Sequence, residues 1–191
     1  MSAKSSLSAD ITTPSLSGLF NTTALVRHSS PLPVSTPAAA AAAVALLQDH
    51  KHYLGCNPHM TAHEAIPTPT PAPELPMSVQ TASSSSSSSA EWRLFRVTDV
   101  VHALPAGLWD TDIVSRYEFC PIERGVFVRI RSPLGIVLES TWTVDETAGT
   151  LVEEILIRAS RLLVPVLRSQ CESGWRDIHR TMLAPLLVLD K

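Results

Sequence analysis

The feature that most constrains this chain is an alternation of apolar and polar residues from Glu91 to Ala159. It gives way to an apolar repeat at three- and four-residue steps. Val126, Val128 and Ile130, for example, share one parity, while Arg129 and Arg131 hold the other, on an outer face where we expect ion pairs between strands. Period two is typical of strands with one buried face, and the later repeat is typical of an amphipathic helix. A long helix lying across a curved antiparallel sheet buries both apolar faces, so the pattern predicts an α+β fold.

Turn sequences divide the alternation into strands joined as a meander, and two further strands precede it. The predicted sheet has about seven strands, at residues 22–28, 59–66, 92–102, 112–120, 126–131, 136–144 and 150–159.

Three helical segments accompany the sheet. Ser35-Thr36-Pro37 predicts a helix start, because a hydroxyl can cap free N–H groups and proline suits the first helical position. The helix then runs through an alanine-rich stretch to Gln48, and a short second one follows within residues 49–58. Ser160 is the predicted cap of the long final helix, whose apolar stripe comprises Leu163, Leu167, Cys171, Gly174, Ile178 and Met182.

Composition divides the chain into a leader, one domain and a connector inside that domain. Residues 1–19 are rich in Ser and Thr without sustained periodicity, which predicts a disordered leader. Residues 67–90 carry five prolines and then seven consecutive serines. Because loop-closure entropy grows only logarithmically with length, we interpret 20–188 as a single domain interrupted by a low-complexity connector at 67–90.

Charge and hydropathy exclude several classes of protein. Residues 91–191 hold 12 basic against 14 acidic side chains, which argues against a nucleic-acid partner. The longest apolar run, of ten residues from Ala38 to Leu47, is too short for a transmembrane helix. The start lacks the features of a secretory signal, and three widely spaced cysteines favour reduced thiols. We therefore expect a cytoplasmic protein; its oligomeric state stays open.

If a cavity lies between one sheet face and the final helix, it would be mostly apolar with a few polar points, which is typical of small-molecule sites. The alternative is a filled core, in which Trp142 only packs. The predicted lining comprises Ser115, Tyr117, Val128, Ile130, Leu138, Ser140, Trp142, Ile155, Cys171 and Gly174.

Glu153 shares the parity of Ile155 and Ile157 and is therefore a candidate general acid or base. If buried, we expect its pKa to be raised; near a strand start it can equally reach solvent. Tyr117 and His63 complete the candidate catalytic set. His50, His52, His59 and His63 lie close together in the sequence, but without a compact zinc spacing, so we expect no metal.

Several short motifs, in their order along the chain, resemble a fungal family of unknown function within the START-like, polyketide-cyclase-like helix-grip proteins. They are Leu46-Leu47-Gln48-Asp49-His50, Pro58, His63 to Pro67, Val97-Thr98-Asp99, Leu104-Pro105-Ala106-Gly107-Leu108, Tyr117-Glu118-Phe119, Pro133-Leu134-Gly135 and Trp142-Thr143-Val144. The resemblance implies a helix closing over a concave sheet around a hydrophobic ligand.

Three functions stay open, of which the first rests on the resemblance to polyketide cyclases. The first is a cofactor-independent cyclase, isomerase or dehydratase acting on a polyketide- or terpenoid-like intermediate in fungal specialised metabolism. The second is a lipid or small-molecule binding or transfer module that catalyses nothing. The third is an interaction protein whose cavity is filled. Fold alone does not choose among them.

Overall fold

A computed structural model describes residues 21–80, 91–102 and 110–188. The predicted leader and the serine run lie outside these residues, as does the Leu104–Leu108 motif. The strands are β1 (Asn21–Pro31), β2 (Met60–Ile66), β3 (Arg93–His102), β4 (Asp110–Ile122), β5 (Gly125–Ser132), β6 (Ile136–Asp145) and β7 (Thr150–Ser160). The helices are α1 (Pro37–Gln48), α2 (His50–Gly55), α3 (Met77–Gln80) and α4 (Val164–Leu183).

The strands form one antiparallel sheet of seven strands in the order β1-β7-β6-β5-β4-β3-β2. The meander from β3 to β7 is as the alternation predicts. The first strand crosses to the far edge and pairs with β7 along its whole length, from Asn21 opposite Ser160 to Pro31 opposite Thr150. This pairing brings the first and the last strand of the chain together at one edge of the sheet.

Helix α1 packs closely against the sheet because its side chains are small. Ala40, Ala43 and Leu47 are buried there, and the Thr36 hydroxyl caps the helix by accepting a hydrogen bond from the Ala39 N–H at 3.2 Å. At the other end, the Gln48 side-chain amide donates to the carbonyl oxygens of Ile122 and Gly125, both at 3.0 Å. The predicted cap and helix end are confirmed.

Helix α4 differs from the prediction at two positions. Ser160 ends β7 rather than capping the helix, because its pairing with Asn21 extends the strand, and the helix begins at Val164. Gly174 is exposed, and a Cβ added to it would meet nothing within 4 Å, whereas Trp175 and His179 turn toward the sheet. The prediction that Gly174 belongs to the inward-facing stripe was therefore wrong. Trp175, four residues after Cys171, lies on the inner face of the helix, whereas Gly174, three residues after it, does not.

The outer face of the sheet carries ion pairs between strands, as the alternation predicts. Arg129 donates to Glu118 at 3.3 Å and to Glu139 at 2.8 Å, and Arg131 donates to Glu118 at 2.9 Å. Glu118 is fully buried, so this ion-pair network is less accessible to solvent than the charges of an ordinary outer sheet face.

Residues 67–80 help to cover this outer face. Val79 is buried with Trp92 and Phe127, and Leu75 packs against the same cluster. The Arg129 guanidinium also donates to the Glu74 carbonyl oxygen at 2.9 Å. The proline-rich part of the connector is thus held against the sheet by apolar and polar contacts. In the parts of the chain that the structure describes, no helix has the length and apolarity needed to cross a bilayer.

Two glycine substitutions test this packing. A Cβ at Gly125 would lie 1.9 Å from the Trp142 carbonyl oxygen, so we expect Gly125→Ala to lower the free energy of unfolding by about 2 kcal/mol or more. Gly174→Ala is the matched control and should raise it by about 0.5–1 kcal/mol, because alanine favours an exposed helical position. Urea unfolding measures both, and a loss of stability in Gly174→Ala would contradict its exposed placement.

Candidate functional site

The strongest cluster of reactive side chains surrounds Glu153 on the inner face of β7. Strand pairing sets His28 directly opposite it, and His179 reaches it from α4. The Nδ1 atom of His28 lies 3.2 Å from Glu153 Oε2, and the Nε2 atom of His179 lies 3.4 Å from the same oxygen. All three residues are buried, so the sequence alternative in which Glu153 reaches solvent was wrong.

Two serine hydroxyls extend this cluster. The Ser140 hydroxyl on β6 donates to the other carboxylate oxygen of Glu153, Oε1, at 3.1 Å. The Ser30 hydroxyl lies 2.9 Å from the second ring nitrogen of His179, Nδ1. Both oxygens of the Glu153 carboxylate and both ring nitrogens of His179 therefore have a polar partner.

The environment of Glu153 has opposing effects on its charge. Burial alone raises the pKa of this carboxyl, but hydrogen bonds from His179, His28 and Ser140 favour the ionised form, and the net direction is a lowered pKa. The sequence expectation of a raised pKa was wrong, because it counted burial without the donors that the fold supplies. Glu153 is thus an ionised carboxylate that can accept hydrogen bonds or bind a cation.

Aromatic rings enclose the two histidines. The His28 ring stacks on Trp175, with centroids 4.7 Å apart and planes 5° apart, and the Trp142 ring lies 4.9 Å from the His179 ring. His28 Nε2 and Trp142 Nε1 are buried with no hydrogen-bond partner among the described residues. The packing thus leaves the hydrogen-bonding capacity of both atoms unused.

Tyr117 lies on the same inner face but belongs to a different hydrogen-bonded group. Its hydroxyl donates to Asp99 Oδ2 at 3.2 Å, and the Asn57 amide donates to Asp99 Oδ1 at 2.8 Å. Burial, and then the Asp99 carboxylate, raise the pKa of Tyr117. Its hydroxyl stays protonated and can act as a hydrogen-bond donor.

His63 stands apart from both groups. It is exposed on β2, at the opposite edge of the sheet from β1, and four strands separate β2 from β7. The structure therefore does not bring His63 together with Glu153. Nor do the neighbouring histidines gather as ligands: His50 packs against Phe95 and Phe119, while His52 Nε2 lies 3.0 Å from the Met182 carbonyl oxygen.

Most of the predicted lining does share the inner face, and its members differ in how they are packed. Val128, Trp142 and Ile155 are buried, and the Ser115 hydroxyl lies 2.7 Å from that of Ser132. Ile130, Leu138 and Cys171 are only partly buried. Gly174 is the exception, since it faces away from the sheet.

Cys171 lies near the carboxylate. Burial, followed by the negative charges of Glu153 and Glu172, raises the pKa of the Cys171 thiol to about 11. A thiol with this pKa stays protonated at neutral pH, so Cys171 is a packing residue rather than a nucleophile.

A cavity of about 220 Å³ opens beside the cluster, at the edge formed by β1 and the C-terminal half of α4. Its lining comprises Ser30, Pro31, Pro33, Arg176, His179, Arg180, Leu183 and Leu187. His179 both lines this cavity and contacts Glu153, so its ring lies between the cavity and the buried carboxylate.

Sequence reasoning missed His28, His179 and Ser30, although the signals were present. Val26, His28 and Ser30 share one parity in β1, which places them on one face. Cys171, Trp175 and His179 recur every four residues in α4. What the sequence lacked was the pairing of β1 with β7, which sets the two groups against Glu153.

Comparison with known proteins supports the fold. A family model described as "Domain of unknown function (DUF7053)" matches residues 21–186. The crystal structure of TTHA0849 from Thermus thermophilus is similar over 89% of this chain and 100% of that chain, with a TM-score of 0.52 at 11% sequence identity. At this identity the likeness concerns the fold alone, and it confirms the predicted α+β, helix-grip-like architecture. A search of curated proteins gave no match.

The charge of Glu153 makes a testable contribution to stability. Because its pKa is lowered in the folded state, the contribution is fully present above the ordinary value of 4.5 and disappears as pH falls through the lowered value. We expect Glu153→Gln to cost about 2 kcal/mol at neutral pH, from weakened hydrogen bonds to charge, and progressively less toward about pH 3. Urea unfolding over this range measures the difference.

The neighbouring substitution Glu154→Gln is the control, since that side chain is 46% exposed and pairs with Arg27 at the surface. We expect it to change stability by less than about 1 kcal/mol at any pH. A pH-independent effect of Glu153→Gln would contradict the lowered pKa.

Proposed function

We propose that this chain, which belongs to the DUF7053 family, binds a hydrophobic small molecule between the inner face of the sheet and helix α4. One observation carries the proposal. Leu138 on the sheet and Leu167 and Cys171 on α4 belong to the same apolar cluster between the two layers, yet all three remain only partly buried. Apolar side chains that stay incompletely packed inside a fold provide a surface for an apolar ligand.

The surroundings of this proposed site, the cleft, fit such a ligand. Ile130 and Ile178, from the sheet and from α4, are likewise only partly buried against the main core. Polar groups are few, and Ser140 and Glu153 supply them on the sheet side. A mostly apolar cleft with a few fixed polar groups is the usual composition of a small-molecule site.

A catalytic form of the proposal adds a reaction to this binding. Glu153, ionised and buried, would act as a general base on a polyketide- or terpenoid-like intermediate, promoting cyclisation, isomerisation or dehydration without a cofactor. Tyr117 would donate a hydrogen bond from its protonated hydroxyl. The resemblance to polyketide cyclases supports this form and its place in fungal specialised metabolism.

The alternative is a binding or transfer module with the same cleft and no reaction. Two observations favour it: Tyr117 is already engaged with Asp99, and His63 lies at the far edge of the sheet. In the transfer module, Glu153 and its histidines would contribute to stability and to the polarity of the cleft wall.

Filling the cleft tests the binding proposal. We expect the uncharged fluorescent probe N-phenyl-1-naphthylamine to bind the wild-type chain, and Leu138→Trp to weaken this binding at least about tenfold, because the indole occupies ligand space. Val166→Trp is the matched control: Val166 is on α4 but 54% exposed, and its substitution should leave affinity unchanged. Fluorescence titration measures affinity, and thermal unfolding checks that both variants fold.

Two results would overturn the binding proposal. One is the absence of probe binding to the wild-type chain, together with a native mass spectrum that shows no retained small molecule. The other is an equal loss of affinity in Leu138→Trp and Val166→Trp. A retained molecule in the native spectrum would give its mass and hence its chemical class.

The catalytic form makes a separate prediction about substrate turnover. Once a retained molecule is identified, Glu153→Gln should reduce its conversion by at least about a hundredfold while leaving its binding intact. Tyr117→Phe should have a smaller effect, and His63→Ala none, because of its distance from the cleft. Unchanged turnover in Glu153→Gln would leave the transfer module as the function.

A further inference from the structure

We propose that His28, Glu153 and His179 bind a divalent transition-metal ion of the zinc type. Two imidazoles and one carboxylate are the ligand set of several catalytic zinc centres, in which a further position stays open for water or substrate. The histidine cluster apparent in the sequence supplies none of these ligands. The site goes beyond the proposed ligand binding and does not rest on it.

The ligand atoms already converge. One ring nitrogen of His28, one of His179 and a carboxylate oxygen of Glu153 all lie within 4.8 Å of one another. Zinc bonds of about 2.0–2.2 Å in a tetrahedral arrangement set neighbouring ligand atoms about 3.3–3.5 Å apart. The two nitrogen–oxygen separations, 3.2 and 3.4 Å, are close to this spacing, so an ion needs only small side-chain rotations to enter.

The groups behind the ligands are also those of a metal site. A metal-binding histidine usually donates its other ring N–H to an oxygen, and a ligating carboxylate is usually hydrogen-bonded on its free oxygen. Here Ser30 lies 2.9 Å from His179 Nδ1, and Ser140 lies 3.1 Å from Glu153 Oε1. The stacked Trp175 ring fixes the orientation of His28.

Charge and access favour an ion as well. The three ligands together carry one negative charge when both imidazoles are neutral, and a buried carboxylate gains from a cation beside it. The cavity of about 220 Å³ that His179 and Ser30 line opens directly beside the three ligands. The ligands come from β1, β7 and α4, so a bound ion would join the first and last elements of the domain.

Metal binding would exclude one form of the proposed function. A carboxylate that ligates an ion is not free to act as a general base, so the cofactor-independent form of catalysis and this site cannot share Glu153. Binding of a hydrophobic molecule at Leu138 is compatible with either.

The test is a zinc titration of the full-length chain after removal of metals with a chelator. We expect isothermal titration calorimetry to show one ion per chain, accompanied by a rise in melting temperature, because an ion that binds only the folded state stabilises it. Glu153→Gln and His179→Gln should each weaken zinc binding at least about a hundredfold. With Co²⁺ in place of zinc, the wild-type chain should show visible absorption bands that these variants lose.

The matched control is His63→Ala, which removes an exposed histidine at the opposite edge of the sheet and should bind zinc like the wild type. Ser30→Ala is the second line of evidence if a ligand variant does not fold: it leaves all three ligands in place and should weaken binding about tenfold or more through His179. An absence of one-to-one binding, or affinity that is lost in His63→Ala but kept in Glu153→Gln, His179→Gln and Ser30→Ala, would overturn the proposal.

Each proposal can fail without the other. The zinc titration needs no hydrophobic probe, and Leu138→Trp leaves all three ligands in place. Loss of probe binding with zinc binding retained would remove the proposed ligand cleft alone. Loss of zinc binding with the probe still bound would remove the metal site alone.

Discussion

The pairing of β1 with β7 is the interaction on which the rest of this structure depends. It joins residues that are more than a hundred positions apart, and it adds a strand to the edge of a meander that would otherwise end at β7. The same pairing places His28 opposite Glu153 and gives α4 an inner face wide enough to lie on. Without it, a carboxylate at this position would be an edge residue open to water rather than a buried group.

Burial of the charged Glu153 side chain then has to be compensated by the groups around it. A buried carboxylate is stable only if donors or cations surround it, and β1, β6 and α4 each contribute one donor, from His28, Ser140 and His179. Three elements are thus tied to one charged group. This is why the polar cluster and the fold are difficult to separate, and why a polar cluster of this kind is a candidate for function as well as for stability.

The two faces of the sheet are packed in different ways. On the outer face, Glu118 and Arg129 are buried in an ion-pair network that residues 67–80 help to cover, and apolar contacts of Leu75 and Val79 complete the layer. On the inner face, α1 packs tightly through alanines at one end, while Leu138, Leu167 and Cys171 between the sheet and α4 stay partly exposed. This difference in packing is the observation on which the proposed ligand site rests.

The sequence by itself determined the local elements and their buried faces, because strand and helix periodicity depend only on neighbouring residues. It therefore predicted the meander, the capped α1 and the ion-paired outer face, and it gave Glu153 the parity of Ile155 and Ile157 without deciding whether its carboxyl is buried. Only the tertiary structure decided what meets Glu153, since His28 and His179 lie far from it in the chain. The direction of its pKa followed from those partners, and Gly174 turned outward because packing of α4 follows steps of four at that point. Contacts between distant residues depend on strand order and helix rotation, which are set by how the whole domain buries its apolar surface.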